Sequence, residues 1–209
     1  MNRKKLIGIV AACIIVVVAL IASLSGHGPA GDRVVTFQDP NLDTAIREAL
    51  NKPSGPIHAS ELAGLASLTA GDSGIEDLSG LQYCTNLTDL SLGSNRISDI
   101  LPLAKLTSLT HLDLWHNQIS DISPLANLTS LTYLYLPRNQ ISDISALADL
   151  TNLIEILLYS NQIGDISPLV DNPGLGEGDY VSLGNNPLSS DSIDIYLDQL
   201  RARGVTVDY

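Results

Sequence analysis

Four asparagines, Asn95, Asn117, Asn139 and Asn161, stand 22 residues apart, each inside the pattern aliphatic-x-Leu-x-x-Asn-x-Ile. Residues 106–127 read LTSLTHLDLWHNQISDISPLAN and 128–149 read LTSLTYLYLPRNQISDISALAD. Residues 84–105 and 150–171 keep the same frame. One such unit carries an aliphatic face too large to leave in water and too short to bury by itself. Copies must therefore stack, each covering the next, and a solenoid is the architecture that allows it.

The columns extend beyond the four clean copies. Leu62, Leu65, Leu68, Ala70, Ile75, Leu78 and Leu81 fill the same slots upstream, with Ser73 in the asparagine position. Downstream, Leu175, Val181, Leu183, Asn186 and Leu188 fit once three residues are inserted in GLGEGDY. The frame L-x-x-L-x-x-L-x-L-x-x-N-x-I is the signature of a leucine-rich repeat. The expected fold is an α/β repeat solenoid of about six units. It has a short parallel β-sheet on the concave face, 3₁₀ turns on the convex face, and helical caps at both ends. Asn95, Asn117, Asn139, Asn161 and Asn186 are expected to form a structural ladder of buried amides between neighbouring turns.

Five segments follow: 1–25 a membrane anchor or signal, 26–32 a linker, 33–61 an N-terminal helical cap, 62–189 the repeats, and 190–209 a C-terminal helix–strand cap. In the first cap Asp39 precedes Pro40, an N-cap followed by the residue best tolerated in a first turn. Leu42, Ala45, Ile46, Ala49 and Leu50 then follow at helical spacing. In the last, a helix from Ser190 or Asp191 is expected to place Ile193, Tyr196, Leu197 and Leu200 on one face. Gly204 ends it, and a final strand lies at Val205–Val207. With both ends closed, the repeats are expected to form a complete small solenoid.

The chain opens with Arg3, Lys4 and Lys5, followed by nineteen uncharged, mostly apolar residues from Leu6 to Leu24. As a helix, that run is about as long as a bilayer core is thick, and basic charge before it keeps the N-terminus inside. An uncleaved anchor, a cleaved signal and a lipoprotein modified at Cys13 all export the repeats. The expected location is the cell membrane, with the repeats extracytoplasmic, or secretion if the segment is removed. Eight of the 11 basic residues and all 23 acidic ones lie beyond this segment, so the exported part has a formal charge of −15. That balance disfavours nucleic acid and anionic lipid surfaces. Membrane contact is assigned to the N-terminal segment alone, and the sequence does not set an oligomeric state.

The repeats resemble the 22-residue leucine-rich repeats of bacterial internalins, above all in NQISDISPL, and VVTFQDPNLDTAIREALNKPSG resembles the helical cap preceding such repeats. That resemblance implies an extracellular module that binds other proteins through its concave sheet. The residue columns independently locate the face. If the repeated Leu-x-Leu points inward, its flanking residues point to the concave side. The only Trp and four of the seven Tyr fall in those flanking columns, although aliphatic residues already fill the core. Aromatics favour strands in any case, but Trp and Tyr beside charge also mark interface hot spots. The candidate ligand-binding residues are His111, Asp113, Trp115, His116, Tyr133, Tyr135, Arg138, Glu155, Tyr159 and Tyr180. A protein ligand is the first expectation, a cell-wall glycan stacked on aromatic rings the alternative, and a structural spacer the third.

Other features are assigned to the framework. Cys84 stands in the column of Leu62, Leu106, Leu128 and Leu150 and is expected to be a buried apolar substitute. Asp77, Asp99, Asp121, Asp143 and Asp165 also recur every 22 residues, as caps of 3₁₀ turns rather than as a calcium row. His111 and Asp113 lie on one strand face with His116 in the turn beyond, and two strand residues plus a turn residue rarely make a closed ligand set, so no metal is assigned. No nucleophile elbow, phosphate loop or zincin motif occurs, so neither a catalytic residue nor a cofactor is assigned.

Overall fold

The computed structural model describes residues 32–209; the apolar segment from Leu6 to Leu24, and any anchor, signal or lipid site in it, lies outside the described residues. Among the described residues, no helix is long and apolar enough to cross a membrane. The main sheet has seven parallel strands in chain order: β3 Ser67–Thr69, β4 Asp89–Ser91, β5 His111–Asp113, β6 Tyr133–Tyr135, β7 Glu155–Leu157, β8 Tyr180–Ser182 and β9 Thr206–Asp208. Register is uniform, with Leu68, Leu90, Leu112, Leu134, Ile156 and Val181 opposite one another in turn. The three-residue insertion before β8 is looped out, so pairing resumes in phase.

The opposite side of each turn is 3₁₀, at Leu81–Tyr83, Leu101–Leu103, Ser123–Leu125 and Ser145–Leu147, and becomes a short helix, α3, at Ser167–Asp171. Each 3₁₀ start or its counterpart is capped by the recurring aspartate. Asp77, Asp99, Asp121, Asp143 and Asp165 accept from the backbone N–H two residues on, at 2.7–2.8 Å. Among the described residues, no group of three or more His, Cys, Asp or Glu side chains is placed to hold a metal ion.

Between sheet and 3₁₀ side runs one continuous aliphatic core, and Cys84 is fully buried in it. Burial pushes the Cys84 thiol up to about 12, so it packs as an apolar group. The asparagines close the turns that follow the strands. Asn117 accepts from the Ile97 N–H at 3.0 Å and donates to the Leu92 and Leu114 carbonyls, both at 3.1 Å. Asn95, Asn139, Asn161 and Asn186 repeat this arrangement. Each amide ties its own turn to the previous one.

At the N-terminal end, β1 (Val34–Val35) and β2 (Ile57–His58) form an antiparallel pair flanking α1, Pro40–Ala49, and α2 follows at Ala59–Ala63. Leu42 and Ile46 of α1 are buried and Ala45 and Leu50 half-buried, whereas Ala49 faces solvent. Asp39 does more than cap. One carboxylate oxygen accepts from the Asn41 and Leu42 N–H groups, the other from the Glu76 and Asp77 N–H groups of the first repeat. The residue is 7% exposed and joins cap to solenoid.

The C-terminal end departs from the expected helix. A π turn at Ser192–Tyr196 precedes α4, Leu197–Ala202. The wider turn rotates the helix face, so Ser192 is buried while Ile193 is 41% and Ile195 45% exposed. Ile193 is thus not part of the apolar stripe; Leu197 and Leu200 are. The buried Ser192 hydroxyl donates to the Gly164 carbonyl at 2.8 Å and accepts from the Ile166 N–H at 3.2 Å, which explains why serine takes that place.

Candidate binding face

Period-two alternation puts one side chain of each three-residue strand into the core and two on the concave face. Two rows result across the sheet. The first runs Ser67, Asp89, His111, Tyr133, Glu155 and Tyr180, the second Thr69, Ser91, Asp113, Tyr135, Leu157 and Ser182. A third row, Gly71, Gly93, Trp115, Pro137, Tyr159 and Gly184, lies just past the strands. There the inter-turn ladder continues through bonds such as Ser94 N–H to the Trp115 carbonyl. His116 and Arg138 follow at the lip, in left-handed backbone with φ of 54° and 56°.

In the first row, the His111 and Tyr133 rings stack at 4.4 Å between centroids and 19° between planes. That spacing is close to the distance between neighbouring strands, so parallel register alone brings the rings face to face. On its other side, His111 Nδ1 lies 3.3 Å from an Asp89 oxygen. In the second row, one Asp113 oxygen accepts from the Trp115 N–H at 3.1 Å and the other lies 3.4 Å from the Ser91 hydroxyl. Burial raises the Asp113 carboxyl above its ordinary value against those two bonds. Tyr135 is pushed up to about 12, by burial first and then by the charge and hydrogen bond of Glu155. Its phenol stays protonated and serves as a donor.

Trp115 is 38% exposed and its indole lies over Gly93, where an added Cβ would sit 2.0 Å from Nε1. A glycine one repeat upstream is therefore the seat of the indole. The His116 ring stacks beside it at 5.6 Å. His111, Asp113 and Tyr135 meet at a hollow of about 280 Å³, shared with Thr69, Asp89 and Ser91. Glu155 borders it through Tyr135. Tyr133 flanks the hollow behind His111, while Tyr159 and Tyr180 lie toward the C-terminal strands and Arg138 at the lip. Thr69, Asp89 and Ser91 are not among the candidate residues read from the sequence; they stand in the strand columns that flank the core leucines, and their register with His111 and Asp113 is the signal that brings them to the hollow.

The hollow is open, with no walls that would exclude water from a reacting group. It presents flat rings, a phenol donor and carboxylate acceptors on the strands of the sheet.

Comparison with known proteins agrees with this geometry. A description of two-copy leucine-rich repeats matches residues 107–149 and 130–171, and a single-repeat description matches 83–100. Among solved structures, an internalin (inlF) from Listeria monocytogenes is 30% identical over 82% of this chain and 56% of its own, with a TM-score of 0.66. An internalin C2 (inlC2) from the same organism is 31% identical over 82% of this chain and 94% of its own, with a TM-score of 0.48. No curated protein matches the chain. The chain belongs to the bacterial leucine-rich repeat proteins of the internalin-like type. It spans little more than half the length of the first internalin named.

Proposed function

We propose that this chain is an extracytoplasmic, membrane-tethered module that binds a protein partner through its concave aromatic face. The observation that carries the reading is the row structure of that face. Trp115, Tyr133, Tyr135, Tyr159 and Tyr180 come from β5–β8 and the turns beyond them, on a framework whose core does not need them. The internalin-like fold is a scaffold for protein–protein interaction, which supports the same conclusion. The tether rests on the basic cap and apolar run of residues 3–24. Proteolysis of intact cells checks that part: digestion of the repeats without lysis is expected, and full protection would refute export.

A sugar ligand needs ring faces left free for stacking. The His111 and Tyr133 rings each cover one face of the other. Trp115 and Tyr135 are the aromatics on which a glycan reading would rest. The deciding experiment compares partners captured from envelope and culture fractions by the wild type and by a Trp115→Ala/Tyr135→Ala variant of matched stability. A protein held by the first and lost by the second, and not displaced by soluble sugars, is expected. Equal capture by both would refute the concave reading, and release by sugar would replace protein with glycan.

A further inference from the structure

The concave face has one chemical demand that the fold leaves unmet. Its twelve strand positions on β3–β8 include three carboxylates, Asp89, Asp113 and Glu155, and not one lysine or arginine. Elsewhere four acids are paired with bases, Asp43 with Arg47, Glu61 with Lys52, Glu76 with Arg96, and Asp198 with Arg201, while recurring aspartates such as Asp99, Asp121 and Asp143 join no such pair but are exposed to water. Asp113 takes part in none of these ion pairs. It is half-buried, with only a backbone N–H and a distant serine hydroxyl as donors. A carboxylate held partly out of water with weak partners gains most from a cation delivered to it.

We infer that the hollow over β4–β6 receives an arginine side chain of the protein partner, its guanidinium against Asp113 and its flat face along the Tyr135 ring. This inference deepens the protein-binding reading and rests on it. The shape of the hollow favours this occupant: at about 280 Å³ it lies at the small end of ligand sites but can admit one long side chain. Asp113 lies opposite Tyr135 on adjacent strands, which suits a cation that can hydrogen-bond at its edge and stack on its face. The His111 ring, backed by Tyr133, lines one side of the hollow and offers a flat surface to the methylenes. Asp89, at its far side, adds a second negative charge. A lysine ammonium would use the charge but could not lie flat along the ring while bonding the carboxylate at its edge.

The chain's only tryptophan reports on this site because its backbone N–H is bonded to Asp113, two residues before it, so a shift of that carboxylate moves the residue that carries the indole. The test titrates the full chain, in mild detergent, with N-acetyl-arginine amide, N-acetyl-lysine amide and sodium chloride while following Trp115 fluorescence. The expected result is a saturable change with the arginine probe, weakened about tenfold or more by Asp113→Asn and unaltered by the remote Asp198→Asn. Melting curves of the two variants show that both are folded. A response equal for lysine and arginine, or one untouched by Asp113→Asn, would overturn the inference. In the capture experiment, a partner lost with Trp115→Ala/Tyr135→Ala yet indifferent to Asp113→Asn would leave the concave face standing and remove the arginine from it.

Discussion

The asparagine turns and the concave rows come from the same 22-residue units and obey opposite rules. Along the turns, every clean repeat places the same side chain, making the same bonds, in the same column. Across the concave face no two strands carry the same pair: Asp and Ser, His and Asp, Tyr and Tyr, Glu and Leu follow one another on β4–β7. Stacking requires identity where neighbours touch through the core and places no such demand where side chains face water. Repetition therefore marks what holds the solenoid together, and variation marks where a ligand could be specified.

The largest effect that could break this contrast is on the turn side. Removing the Asn117 amide by Asn117→Ala leaves the Leu92 and Leu114 carbonyls their other donors, Asn95 and Asn139. The Ile97 N–H loses its acceptor in a buried turn. A loss of about 2–4 kcal/mol is expected from urea denaturation, from one orphaned donor and two missing bonds. Trp115→Ala should cost far less while removing a face residue. Equal losses would deny the division between framework and face.

The second prediction concerns the joint between cap and repeats. Asp39→Asn keeps one oxygen for the Asn41 and Leu42 N–H groups and loses the acceptor for Glu76 and Asp77. A destabilisation of about 1–3 kcal/mol near neutral pH is expected. It should be pH-dependent. Burial pushes the Asp39 carboxyl up, but the four N–H bonds outweigh it and hold it below the ordinary 3.8. A depressed native value means the contribution is complete above pH 3.8 and is lost as pH falls through the lower folded value. Wild type and variant should thus converge only in that acid window. Convergence at higher pH would show that the carboxylate is not what joins the two parts.

These two positions also show what was legible in the chain. The solenoid was, because one period repeated through six units overrules any local ambiguity. The facing rows were, because alternation on a strand of known register leaves no freedom. Asp39 was legible as a cap but not as a clasp, since Glu76 and Asp77 lie 37 and 38 residues away and outside any repeat relation to it. Asn172 stands in a leucine column, yet it is fully buried and donates to the Leu147 and Leu150 carbonyls where the insertion breaks the frame. Arg203 fastens the same break by bonding the Val170, Asn172 and Leu175 carbonyls. Such residues repair single irregularities, so no periodicity announces them. The same holds for the π turn that exposes Ile193.

A smaller effect separates face from framework at one glycine. Gly93→Ala places a Cβ on the indole of Trp115, and the ring, unlike the core, can swing away. Stability should change by about 1 kcal/mol or less, while Trp115 emission shifts to the red as the ring enters water. An unshifted spectrum would mean that the indole is not seated on Gly93.

The smallest effect comes from putting one substitution on both sides of the contrast. Ser94 occupies the left-handed position of its turn at φ 56°, one of a series that includes Asp72, His116, Arg138 and Ser160. That conformation costs an L-residue about 1–2 kcal/mol and glycine almost nothing, though glycine gives back roughly half of this through its freer unfolded chain. Ser94→Gly should therefore stabilise by about 0.5–1 kcal/mol. Ser91→Gly, three residues earlier on β4, gains no such relief and should destabilise by about 1 kcal/mol. Opposite signs for the same chemical change would show that backbone geometry decides at the turn and strand order decides on the sheet. Equal signs would mean that the left-handed turns carry no strain, and the series would then reflect only the asparagine bonds that follow it.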